Sequence, residues 1–150
     1  MIKTRRNENE AKEMKSWVVA IVKVQPRLED MVRLLMHKIE RHSKDMTGDT
    51  FSLCEKILLL ADKKRRLCNL KVIFERITKN FSSEEKELFE DVVGERGLLS
   101  EKAREKGVNR STMLRRFEKL TIKAGESLLK LGFDKERLEK DYVGLLASER

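Results

Sequence analysis

Apolar residues recur at steps of three and four along most of this chain, the spacing that lines one face of an α-helix. The polar first ten residues offer nothing to bury and are expected to fray. A first helix is predicted over about 8–24, carrying the apolar run Trp17–Val22 against other helices. Pro26 breaks it and then serves as an early position of a second helix, where its missing N–H costs nothing. There Leu28, Met31, Leu35 and Ile39 form one face, and the helix ends near His42 before residues 43–49, whose composition is that of a loop. A third helix spans about 50–79 with a stripe of near-heptad spacing (Leu53, Ile57, Leu60, Leu67, Phe74, Ile77), interrupted by Lys63-Lys64-Arg65-Arg66. Thirty residues of helix extend about 45 Å, a rod that joins two modules or pairs with a copy of itself.

From residue 82 the punctuation becomes denser. Ser82 followed by Glu85 is a capping-box pattern, opening a short helix that turns Leu88, Phe89, Val92 and Val93 inward. Gly94 and Gly97 close it. Ser100 is expected to cap another short helix that stops at Gly107, Asn109 the next, and a final helix opens at Asp134 with Leu138, Tyr142 and Leu145 on its inner face. The pattern predicts an all-α fold: a helical N-terminal region (1–79) with a long connecting helix, followed by a helix-turn-helix module (82–150).

Composition supports this and narrows the function. Of 150 residues 40% are charged and one is proline, which suits helices with broad solvated faces. The net charge of +8 makes a polyanion a natural partner. Residues 82–94 are acidic, whereas 95–123 hold nine Lys/Arg and four acids. Cys54 and Cys68 lie about 21 Å apart on one predicted helix, beyond disulfide reach, and read as small core residues of a reducing, cytoplasmic protein. Neither they nor His37 and His42 have metal-ligand spacing, so no metal or cofactor is expected. No phosphate loop, nucleophile elbow or carboxylate–histidine set points to an enzyme. The six-residue apolar run is too short to span a membrane.

The segment Leu99–Leu120 has helix-turn-helix spacing. Ala103 supplies the small residue where two helices cross, and Gly107, four positions later, the residue tolerant of positive φ. Val108 plugs the turn, Asn109 caps the second helix, and Met113, Phe117 and Leu120 face inward. Ser111, Leu114, Arg115 and Glu118 are then left facing out, with Arg110 at the end that enters the major groove in this motif. Arg110 and Arg115 are candidates for bidentate pairing with guanine, Leu114 for a thymine methyl, and Ser111 for a further base contact. Asn109, Thr112, Arg116 and Lys119 flank this face and suit phosphate oxygens. The partner expected is double-stranded DNA, with a homodimer through the N-terminal or long helix to supply a second half-site. The rival reading is a helical adaptor or assembly protein that binds a protein through its N-terminal helices.

Residues 82–120 resemble region four of the main bacterial sigma-factor family and similar domains of small phage-type transcriptional regulators. The resemblance rests on Ser83-Glu84-Glu85-Lys86-Glu87-Leu88-Phe89, then Ala103, Gly107-Val108 and Asn109-Arg110-Ser111-Thr112-Met113. It implies a packing helix followed by a promoter-reading helix, with RNA polymerase as a second partner. Lys102 and Lys106 stand where that family usually has apolar residues. The acidic, aromatic segment with which full sigma factors melt DNA has no counterpart, so the resemblance implies an accessory or a plain regulator.

Overall fold

A computed structural model describes residues 9–45, 47–94 and 98–146, and among them every regular element is an α-helix. A helical turn over 9–13 precedes α1 (Lys15–Lys44), followed by α2 (Thr50–Ile77), α3 (Ser83–Gly94), α4 (Leu98–Glu105), α5 (Arg110–Lys130) and α6 (Lys135–Leu146). The all-α expectation holds. Gly97 lies outside the described residues, as do the side chains of Val93, Leu99, Ser100 and Leu145.

Two expectations are corrected. Pro26 does not divide two helices but lies inside α1. A proline within a helix removes one backbone hydrogen bond and costs about 3 kcal/mol. Burial on both sides opposes that cost: Trp17, Val18, Ile21 and Val24 before it, Leu28 and Leu35 after it. Cys54 and Cys68 are not core residues; both are exposed, because the buried stripe of α2 runs instead through Leu67, Leu70, Phe74 and Ile77. A smaller difference concerns α4, which starts at Leu98, so that Ser100 lies within the helix rather than ahead of it.

The chain forms two compact units. One comprises residues 25–72, the later part of α1 and most of α2, within which the Gln25 Nε2 donates to the carbonyl of Leu70 at 3.3 Å. Asp49 begins α2, its carboxylate accepting from the amide and hydroxyl of Ser52 at 3.4 and 3.1 Å. The other unit joins residues 1–24 to 73–150. Its core holds Trp17, Phe89, Met113, Leu128 and Leu138, all essentially inaccessible. Phe89 is central there, edge-on to Phe81 at 5.5 Å and tilted against Phe117 at 5.9 Å, arrangements worth about 0.5–1.5 kcal/mol each beyond area burial.

Candidate nucleic-acid interface

Within the second unit α3, α4 and α5 pack on one another in all three pairings. The turn between α4 and α5 closes as a Schellman motif. Gly107 has φ +67°, its amide donates to the Arg104 carbonyl at 3.2 Å, and the Val108 amide donates to the Ala103 carbonyl at 3.0 Å. These bonds satisfy helix-end carbonyls that would otherwise lack partners. Ala103 is buried and Val108 half-buried, so the turn is pinned by the apolar pair that this motif commonly brings together.

Asn109 then opens α5 with extended backbone angles, φ −78° and ψ 161°. Its Oδ1 accepts from the Thr112 amide at 2.9 Å, the Thr112 hydroxyl at 2.9 Å and the Ser111 hydroxyl at 3.1 Å. One amide oxygen thus gathers three of the candidate ligand-binding residues around the N-terminus of α5. Asn109 Nδ2 remains a donor that suits a phosphate oxygen, while the Ser111 and Thr112 hydroxyls, which donate to Asn109, keep lone pairs that can accept from a base amino group.

Met113, Phe117, Leu120, Thr121, Ala124, Gly125 and Leu128 are buried along α5. Away from them Ser111, Arg115 and Glu118 are exposed, Arg110 is exposed at the helix start, and Leu114 lies at the flank with 40% of its surface accessible. Arg116 and Lys119 stand on the other flank, in a cleft of about 260 Å³ between α5 and the start of α3. Its floor is Leu88, Met113 and Leu120; its rim adds Lys106, Lys123, Glu84 and Glu85. Lys106 and Lys123 approach Glu84 and Glu85, each at 3.9 Å, whereas Arg116 and Lys119 have no ion pair among the described residues.

Lys106 and Lys123 are the cationic residues that the sequence reading missed. The spacing Arg116, Lys119, Lys123 is itself a helical stripe and could have revealed the second. Lys106 comes from α4's end and reaches the stripe only through the turn. The acidic start of α3 is also part of this site. Glu85 closes the expected capping box, its carboxylate accepting from the Ser82 amide while the Ser82 hydroxyl accepts from the Glu85 amide, both at 3.1 Å. The Ser82 amide, and secondarily Lys123, hold the Glu85 carboxyl below its ordinary range.

Among the described residues no group of three His, Cys, Asp or Glu could hold a metal ion, and no helix is long and apolar enough to cross a membrane. No protein-family model, curated protein sequence or solved structure matches this chain.

Proposed function

We propose that α4 and α5 act as a helix-turn-helix and that the protein is a sequence-specific, DNA-binding transcriptional regulator. The observation that carries this reading is the joint arrangement of Gly107, Asn109 and Arg115. The left-handed glycine turn and the asparagine cap orient α5 so that its start and one whole face, with Arg110, Ser111 and Arg115, project away from the core. Such a helix enters the major groove N-terminus first. Arg110 and Arg115 then read base edges with Ser111 and Leu114, while Asn109, Thr112, Arg116 and Lys119 neutralise or bond the flanking phosphates. The resemblance of residues 82–120 to sigma region four favours a promoter as the target and RNA polymerase as a neighbour.

Selection of bound duplexes from a random DNA pool, followed by salt titration, tests the proposal. An enriched motif is expected, with preference at one position lost in Arg115→Ala. Phosphate contacts at Arg116 and Lys119 require binding to weaken steeply with salt. Binding without any enriched sequence, or enrichment unchanged by both Arg110→Ala and Arg115→Ala, would overturn it.

A further inference from the structure

α2 carries a second stripe, distinct from the buried one, that its own unit leaves uncovered. Phe51, Cys54, Leu58, Ala61, Arg65, Cys68 and Val72 follow at alternating steps of three and four, and all are exposed. Phe51 is 71% accessible, Leu58 68% and Val72 48%. An unbroken three–four alternation over three heptads is the seam of a coiled coil, and at 1.5 Å per residue it extends roughly 33 Å. What covers such a seam is another helix, since only a helix repeats its own side chains at matching intervals.

Charge and volume identify that helix. Arg65 is the only charged residue in the seam, and Asp62 beside it holds its guanidinium at 2.7 Å. A parallel pair of copies would stack Arg65 on Arg65. An antiparallel pair centred near residue 63 instead sets each Arg65 opposite the small Ala61 of the other copy, with that copy's Asp62 alongside. The same twofold arrangement lays Leu58 over Cys68 and Cys54 over Val72, large residues against smaller ones. Phe51 lies beyond this overlap, opposite Glu75 of the other copy, so residues 54–72 of the seam complement themselves, and in the antiparallel direction only.

We infer that the exposed 54–72 face of α2 binds a second copy of this chain as an antiparallel helix pair. The inference is independent of DNA binding, and its test uses no DNA. Sedimentation velocity of the full chain across roughly two decades of concentration, up to about 100 µM, is expected to show reversible passage from 17.6 kDa to twice that mass. Leu58→Glu should weaken dimerisation at least tenfold while leaving the helical circular dichroism intact, because Leu58 is already exposed within one chain. Orientation is read by cysteine chemistry. Leu58→Cys with Cys54→Ser should, on mild oxidation, give a peptide joining position 58 of one copy to Cys68 of the other. Positions 58 and 68 of one helix stand about 15 Å apart, so this product cannot form within a chain. A chain that stays monomeric throughout, a dimer indifferent to Leu58→Glu, or oxidation of the unaltered chain that joins Cys54 to Cys54 would each overturn the inference.

Discussion

The Val108 amide donates to the carbonyl of Ala103 at 3.0 Å, across a turn in which Gly107 alone adopts positive φ. The turn fixes where α5 starts, and so where Arg110 and Arg115 point. A Cβ at position 107 would meet nothing within 4 Å. Gly107→Ala should therefore cost only the backbone penalty of a left-handed residue, about 1–2 kcal/mol, and Gly107→Asn less. Urea unfolding of the two variants checks the order.

Gly125 answers to a different cause. A Cβ there would stand 2.7 Å from the carbonyl oxygen of Ala11, which is helical backbone and cannot swing aside. Gly125→Ala is expected to lose about 1–3 kcal/mol by overpacking, although alanine is the better helix former. A rise in melting temperature would contradict the close approach of the N-terminal turn to α5.

Asn109 has two roles that substitution can separate. Asn109→Ala removes the cap and should destabilise by about 1 kcal/mol. Asn109→Asp keeps an accepting oxygen, so thermal stability should hold. Its added negative charge should nevertheless weaken DNA binding, because phosphate oxygens would lie close by. Equal affinity for Asn109→Asp and the unaltered chain would remove Asn109 from the interface.

Arg115 and Lys119 are expected to fail differently. Arg115→Ala should relax preference at one base pair, whereas Lys119→Ala should weaken all sequences alike and reduce the salt dependence by about one phosphate. Bound fractions measured on the selected site and on scrambled duplexes at several salt concentrations distinguish them.

Acid should loosen the start of α3. Glu85 has a folded pKa below its ordinary value of 4.5, from the Ser82 amide and then Lys123. A depressed carboxylate contributes stability that is complete above the ordinary value and lost as pH falls through the lower folded one. The melting-temperature gap between the unaltered chain and Glu85→Gln should be present at neutral pH and close below that range. A gap that persisted in acid would separate Glu85's contribution from its charge.

Much of this molecule is legible along the chain because its causes are local. The Ser82–Glu85 box, the Asn109 cap and the glycine at 107 each act through backbone groups a few residues away, so spacing alone located them. The inward set Met113, Phe117 and Leu120 follows likewise from the helical period. Pro26 and the two cysteines depart from local expectation for the complementary reason. Local propensity says that proline ends a helix and cysteine is buried, but burial on both sides of Pro26 keeps α1 continuous, and the inner stripe of α2 leaves Cys54 and Cys68 outside.

The helical character of the chain, the caps at Ser82 and Asn109 and the outward face of α5 follow from the order of residues alone, since each depends on hydrogen bonds and side-chain periods within one or two turns. Tertiary structure decided which of those faces meet. It brought Lys106 and Lys123 beside the acidic start of α3, set Gly125 against Ala11, and left Leu58 exposed while Leu67 was buried. These are relations between residues distant along the chain or competing faces of one helix, and only packing chooses among them.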